Sequence, residues 1–371
     1  MRIAINCRSF LKKEHTGIGR YAYHLVRSLA DIDGKNGYQL YVRKGPFSFS
    51  KRTPRLAAKN FTTRVDWFGR GLDKTLKDID VCHFPSPGPI ERPQNAKVIV
   101  TVHDVIFKAF PQGHTRETIE SGERQFQQIR EKAAKIICCS QSTARDLERY
   151  FQIPKDRIAL VYPGVDKGIF YPIKDEESDS AEKVLAEKGI TKPFLLSVGT
   201  IEPRKNLVNS IRAFHVLRTQ KRFPGYLVVI GMGGWLHEDL TALIEKLGLE
   251  KDIVFLGFVP DRELRYFYNK AEAFLFPSHY EGFGFPILEA FSCGVPVVTS
   301  NVSSCPEVAG DAALTVDPGN PGDIAEALRK IVSDQALKKI LREKGLKRAN
   351  DFDFRKTAGE TLKVYEEVYG L

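Results

Sequence analysis

Short apolar runs recur along the chain, each followed by a longer stretch whose apolar residues return every third or fourth position. The short runs read as buried strands and the longer stretches as amphipathic helices. In the first half, strands are predicted at 3–5, 39–42, 81–84, 98–102, 136–139 and 158–161, with helices near 19–31, 116–134 and 142–151. In the second half, strands fall at 194–198, 226–230, 253–256, 273–276, 295–298 and 313–316, and helices near 206–219, 236–247, 261–270, 286–293 and 304–309. Three more helical segments close the chain near 322–333, 335–349 and 355–369, the last with Leu362, Tyr365 and Val368 on one stripe. This is a βα alternation run twice. It predicts an α/β protein with two Rossmann-like, doubly wound parallel sheets, each covered by helices on both faces.

The division between the halves is visible. Pro163-Gly164 ends one apolar segment, and 174–182 is polar and without periodicity, which reads as an interdomain linker. The predicted domains are 1–172 and 173–354. A length of 371 residues fits two cores better than one.

Charge changes the picture. The net charge of +10 is unevenly placed: residues 1–175 carry +13 and residues 176–371 carry −3. A basic first half, including Lys12, Lys13, Arg43, Lys44, Lys51 and Arg52, points to an anionic partner. A lipid-linked or phosphorylated glycan near an anionic membrane fits, and so does a merely solvated basic surface. No zinc-finger, RNP or basic coiled-coil pattern supports nucleic acid. The six cysteines form no C-x-x-C pair and lie in or beside apolar strands, which reads as buried thiols. The opening residues lack a signal-peptide pattern and no apolar run approaches membrane-spanning length, so a cytoplasmic protein is expected, one that can touch the membrane from that side.

The chemistry concentrates at Glu281-Gly-Phe-Gly-Phe-Pro-Ile-Leu-Glu289, between two predicted strands. Pro286 suits the first helical position, where its missing N–H costs nothing. The N–H groups of Ile287 and Leu288 would then be free and aimed at an anion before the helix, aided by its dipole. Gly282 and Gly284 are an odd choice for a plain helix cap, and Glu281 and Glu289 can grip sugar hydroxyls on either side of a diphosphate. Earlier, Ser197-Val-Gly-Thr-Ile-Glu-Pro-Arg-Lys-Asn206 leaves a strand carrying Arg204 and Lys205 side by side. Ligands of open parallel sheets bind beyond the strands' carboxyl ends, where those cations suit a diphosphate. Asn206 could cap the helix that follows.

Three weaker signals accompany these. Gly17 and Gly19, in Thr16-Gly-Ile-Gly-Arg-Tyr21, fit either ligand approach or a plain helix entry. His103 and Asp104 stand at a strand's carboxyl end. Ile230-Gly-Met-Gly-Gly234 lets a base or ribose come near Gly231 without matching a dinucleotide fingerprint, since Leu236 stands where a third glycine belongs. No P-loop is present, and Asp31/Asp33, Asp78/Asp80 and Asp351/Asp353 lie outside the expected clefts, so no metal site is expected.

At these residues the chain resembles the retaining glycosyltransferases of family 4, which have the GT-B fold. The resemblance spans essentially the whole length. It rests on Glu281 and Glu289, the G-T-x-E-P-R-K-N segment from Gly199, and G-I-G-R-Y from Gly17. His103-Asp104, Ser140-x-x-Thr143, Tyr162-Pro-Gly-Val-Asp166 and Val302-Ser-Ser-Cys-Pro-Glu-Val-Ala-Gly310 extend it. The last of these, with G-I-G-R-Y, looks most like a bacterial mannosyl- and hexosyltransferase branch of polysaccharide assembly. The resemblance implies two domains facing across a cleft, with the helix near 355–371 packing back on the first. It implies that Glu281 contacts the donor sugar, Glu289 holds the ribose, Arg204 and Lys205 neutralise the diphosphate, and His103 lines the sugar pocket. Gly17 and Gly19 would approach phosphate or acceptor. Gly199, Gly231, Val259, Gly282, Phe283, Gly284, Ile287 and Leu288 complete the implied nucleotide contacts.

The reading is therefore metal-independent, retaining transfer of a hexose from a nucleotide sugar to a glycan or lipid-linked acceptor, with no cofactor. GDP-mannose is favoured, and UDP-glucose or UDP-N-acetylglucosamine is the runner-up. A sugar-nucleotide epimerase, a phosphorylase and a two-domain binding protein are the competing readings. Nucleotide release and transfer to an acceptor separate them.

Overall fold

The computed structural model describes residues 1–10, 17–44, 56–91, 95–233 and 237–370, apart from a few side chains beside the breaks. Lys12, Lys13, Lys51 and Arg52, Thr16, and Gly234 and Leu236 of the third glycine-rich loop lie outside the described residues.

Two compact units divide the chain, residues 1–164 with 352–371 and residues 165–351. The sequence places the changeovers at 172/173 and 354/355. The first unit holds seven strands: β1 (Arg2–Asn6), β2 (Gly37–Arg43), β3 (Phe61–Asp66), β4 (Val81–Phe84), β5 (Lys97–Val102), β6 (Lys135–Cys138) and β7 (Ile158–Leu160). They pair in parallel in the order β3-β2-β1-β4-β5-β6-β7. The second holds β8 (Phe194–Val198), β9 (Tyr226–Ile230), β10 (Ile253–Gly257), β11 (Ala273–Phe276), β12 (Val297–Ser300) and β13 (Ala313–Val316). Their order is β10-β9-β8-β11-β12-β13, again all parallel.

Both sheets are doubly wound. The central strands are buried on both faces, which is why they read as unbroken apolar runs. In the second unit, Leu195, Leu227, Val229, Leu275 and Val298 pack against Ile211, Phe214 and Leu217 of helix Leu207–Thr219 and Ile324, Leu328 and Ile331 of helix Pro321–Ser333. In the first unit the closing helix Phe354–Tyr369 packs on helix Gly17–Ile32, with Tyr365 fully buried.

The strand order reverses between β1 and β4 in one unit and between β8 and β11 in the other. Each reversal leaves a crevice at the strands' carboxyl ends. These two crevices organise the site residues.

Several expectations change. The segment 174–182 is not a linker but the start of helix Asp175–Glu187. Asp175, Glu176 and Glu177 complement its N-terminal dipole, and only Ala181 and Leu185 are buried, too narrow a stripe to register as periodicity. Strand β3 was not expected. It is an edge strand whose Thr62, Thr63 and Arg64 leave only a broken alternation. The paired aspartates act locally. Asp33 accepts the Tyr38 hydroxyl at 2.6 Å, Asp80 pairs with Arg2 at 2.9 Å, and Asp353 caps the closing helix through the Arg355 N–H. All six cysteines are buried and free. Among the described residues, no helix is long and apolar enough to cross a membrane.

Candidate active site

In the second unit the crevice between β8 and β11 gathers the charged residues of the sequence reading. After β8 the chain passes Gly199 and turns through a short 3-10 segment, Pro203–Lys205. After β11 it reaches Glu281, which is buried. Lys205 Nζ lies 2.6 Å from Glu281 Oε1, and Arg204 Nη1 lies 2.7 Å from Glu281 Oε2. Arg204 Nη2 also pairs with Glu202 at 2.6 Å, and Lys205 Nζ sits 4.7 Å from the centre of the Phe276 ring. Burial alone would push the Glu281 carboxyl up, but the Lys205 and Arg204 charges outweigh it and hold it below the ordinary range. For Lys205 burial wins over the attraction of Glu281 and draws the ammonium below its ordinary value. The result is a compact cluster of two cations and two carboxylates, with both oxygens of Glu281 engaged by cations.

Backbone geometry holds this cluster. Gly231 follows β9 with φ +157°, and a Cβ there would stand 1.9 Å from the Gly199 carbonyl oxygen. No other residue fits, so two loops pass in direct backbone contact beside the cations. Gly199 (φ +147°) lies against the Lys205 stem. Asn206 does not cap its helix. Its backbone is left-handed (φ 59°), and its side-chain amide donates to the carbonyls of Pro277, at 2.9 Å, and Pro318, at 2.6 Å. It braces the loops after β11 and β13 beneath Arg204 and Lys205.

The turn 281–284 is held from one side by serines. Ser303, itself at a left-handed φ of 54°, accepts the Glu281 N–H at 3.0 Å, and Ser304 Oγ donates to the carbonyls of Glu281 and Phe283. Gly282 and Phe283 are buried, and Phe283 packs edge-on against Phe285. Gly284, at φ 110°, is the N-cap of helix Phe285–Cys293. That places Pro286 at the second helical position. The Ile287 N–H is not free: it donates to the Gly284 carbonyl at 3.0 Å, a 3-10-type bond that tightens the first turn. Leu288 is buried one position further on. Glu289 falls in the second turn. It is buried and accepts the Tyr268 hydroxyl at 3.0 Å. Val259, buried, lies just beyond β10 and before helix Asp261–Lys270.

In the first unit, His103 follows β5 and is buried. Its Nε2–H donates to the Pro85 carbonyl at 2.8 Å, which leaves Nδ1 to accept from the Cys139 thiol at 3.3 Å. Tyr21 stands edge-on to its ring at 4.8 Å. Burial pushes the imidazole below its ordinary value, so it stays neutral. Asp104 and His103 line a cavity of about 670 Å³ together with Arg8, Ile18, Phe107 and Glu117. Gly17 and Gly19 are not in a loop: they are the first and third residues of helix Gly17–Ile32. Only Ile18, between them, reaches the cavity.

Residues 180–348 match the model of glycosyl transferases group 1, and residues 15–168 match that of glycosyltransferase family 4. The O-antigen chain mannosyltransferase B of Escherichia coli is 30% identical to this chain over 96% of its length and 97% of the relative's. The chain belongs to the family 4 glycosyltransferases. Its fold is that of sucrose-phosphate synthase from Thermosynechococcus elongatus, with a TM-score of 0.74 at 20% identity over 100% of this chain and 99% of that one. It is also that of WaaG, a glycosyltransferase involved in lipopolysaccharide biosynthesis, with a TM-score of 0.71 at 20% identity over 100% of both chains. Both likenesses are of GT-B architecture.

Some supporting residues of this glycosyltransferase escape a motif-level reading. Glu202 stands inside the quoted segment, but nothing in its spacing assigns it to Arg204. Ser303 and Ser304 lie near Glu281 and Phe283 only in space. Tyr268 reaches Glu289 from the helix before β11, a link with no local signature.

Proposed function

We propose that this glycosyltransferase moves mannose from GDP-mannose to a growing glycan or lipid-linked saccharide of a cell-surface polysaccharide, with retention at the anomeric carbon and without a metal. It would work in the cytoplasm, at the inner face of an anionic membrane. The observation that carries mannose is the full-length similarity to an O-antigen chain mannosyltransferase.

The charge cluster supports the mechanism. As the C1–O bond breaks, its electron pair passes to the diphosphate, and negative charge grows there. Arg204 and Lys205 lie at the crevice to receive it, with the N-terminus of helix Phe285–Cys293 behind them. The acceptor hydroxyl bonds to C1 on the face the diphosphate leaves, and its proton passes to the departing phosphate oxygen. Glu281 holds the two cations in place until the diphosphate takes them, and its carboxylate then turns to the sugar hydroxyls. Glu289, anchored by Tyr268, holds the ribose. His103 moves no proton, since both ring nitrogens are committed.

Donor identity is tested by thermal shift across GDP, UDP and ADP, because a ligand that binds the folded state raises the melting point. Transfer from GDP-mannose in the presence of a chelator should then persist. Stabilisation by UDP alone would move the assignment to a UDP-glucose or UDP-N-acetylglucosamine enzyme. Isomerisation or phosphorolysis without transfer to an acceptor would remove the transferase assignment of this site.

A further inference from the structure

The turn that follows β3 spends a buried carboxylate to hold two aromatic side chains in water. Asp66 is buried at the end of the strand. Its oxygens collect the N–H groups of Phe68 at 3.3 Å, Arg70 at 2.9 Å and Gly71 at 3.1 Å, and the Tyr41 hydroxyl at 2.7 Å. Gly69 (φ +68°) and Gly71 (φ +88°) supply the left-handed backbone such a tight wrap requires. The product of this fixed turn is exposure. Phe68 is 75% exposed, more than any other large apolar residue described, and Trp67 beside it is 46% exposed.

Cations surround the pair. The Arg70 guanidinium lies 5.3 Å from the centre of the Phe68 ring and the Lys44 ammonium 5.6 Å from that of Trp67. The exposed Arg43 reaches under Gly69. The nearby carboxylates are already committed, Asp66 to the turn and Glu91 to Arg8 and the Leu72 N–H. A Trp-Phe projection ringed by cations that pair with no carboxylate among the described residues, in the half of the chain that carries +13, matches the layered chemistry of a bilayer surface. Anionic headgroups meet the cations while the rings reach the acyl boundary.

We propose that the turn Trp67–Gly71, with Arg43 and Lys44, is the surface on which this protein docks to an anionic lipid bilayer. The proposal rests on the membrane-face reading above and adds where that contact is made.

The test is co-sedimentation, without substrates, with vesicles of phosphatidylcholine plus phosphatidylglycerol against vesicles of phosphatidylcholine alone. The wild type should bind the anionic vesicles, and the W67S/F68S double variant should bind them at least about ten-fold more weakly with an unchanged melting temperature. Replacing Arg43, Lys44 and Arg70 by Gln should remove the preference for phosphatidylglycerol. A second measurement leaves the patch intact. In a Trp235→Phe background, which leaves Trp67 as the one tryptophan of the two, its emission should shift to the blue on adding anionic vesicles. Failure of the wild type to bind anionic vesicles overturns both this surface and the membrane reading. Wild-type binding that survives in W67S/F68S, or an unshifted Trp67 emission, overturns this surface alone. Self-association abolished by the double variant, in place of vesicle binding, would assign the patch to a second copy of the chain.

Discussion

Replacing Glu281 by Gln separates the tasks of the charge cluster. The substitution keeps volume and one carbonyl oxygen, removes the negative charge, and turns an N–H₂ toward a cation. In the wild type both carboxylate oxygens hold cations at 2.6 and 2.7 Å, with side-chain exposures of 8% for Glu281, 15% for Lys205 and 20% for Arg204. Breaking a fully buried pair from one side costs about 3–5 kcal/mol. Here Arg204 keeps Glu202 and the crevice is partly wet, so a loss of about 2–3 kcal/mol is expected. For a unit of this size that lowers the melting temperature by roughly 4–12 °C.

Nucleotide binding should respond in the opposite direction. In the resting protein Glu281 occupies the cations that a diphosphate must recruit, so removing it removes a competitor. E281Q should bind the nucleoside diphosphate at least as tightly as the wild type, by calorimetry, while turnover falls about 100-fold or more because the cations and the sugar are no longer aimed. A variant whose diphosphate affinity drops in proportion to its turnover would refute this account, since Glu281 would then act chiefly by building the phosphate site. Unchanged melting and turnover would refute it from the other side.

Three further outcomes follow from the same geometry. E289Q should weaken binding of the nucleoside diphosphate but leave inorganic pyrophosphate affinity unchanged; an equal loss for both would remove Glu289 from the ribose. G231A should unfold the crevice, because its Cβ would meet the Gly199 carbonyl at 1.9 Å. We expect more than about 3 kcal/mol of destabilisation and no nucleotide-induced thermal shift, against a milder effect for G199A, which shares the strain of a positive φ but whose Cβ would meet the Lys205 side chain at 3.3 Å and no backbone atom. His83 is held neutral between the Tyr365 hydroxyl at 2.6 Å and Thr101 at 2.8 Å, and burial draws its pKa down to about 3. The unfolded chain takes up that proton near pH 6.5 and the folded chain does not, so stability is full above about pH 6.5 and falls as pH drops toward 3. The penalty reaches on the order of 3 kcal/mol near pH 4, and denaturant melts of H83Q against wild type should show a flatter pH profile if this is right.

What the sequence disclosed, and what it hid, follows from the range of each interaction. Parallel strands buried on both faces are continuous apolar runs, and helices between them repeat on their own period, so nearly every element of both sheets could be read locally. Strand β3 could not, because an edge strand half open to water carries Thr62, Thr63 and Arg64 without a clean alternation. Helix Asp175–Glu187 could not, because two buried residues make no stripe. Asn206 shows the limit most sharply. Its identity and position say helix cap, yet a left-handed backbone turns the amide to carbonyls 71 and 112 residues away.

The candidate site divides along the same line. Two glutamates around a glycine turn, and an Arg-Lys pair after a strand, are each visible as local patterns. Their union is not, because 76 and 77 residues separate Glu281 from Lys205 and Arg204. Read apart, the carboxylate belongs to the sugar and the cations to the phosphate. Read together, they form one cluster whose cations are already neutralised before any ligand arrives. A diphosphate entering that crevice exchanges one anion partner for another and does not meet bare charge. Pairing with Glu281 lowers the cost of burying Arg204 and Lys205, since a lone buried cation is far less stable than a paired one. It also makes the cations' grip on phosphate depend on where Glu281 turns once released. The sugar hydroxyls are the acceptable new partners for that carboxylate, so binding the sugar and freeing the cations become one event, and a bare diphosphate without a sugar recruits the cations against Glu281's full competition.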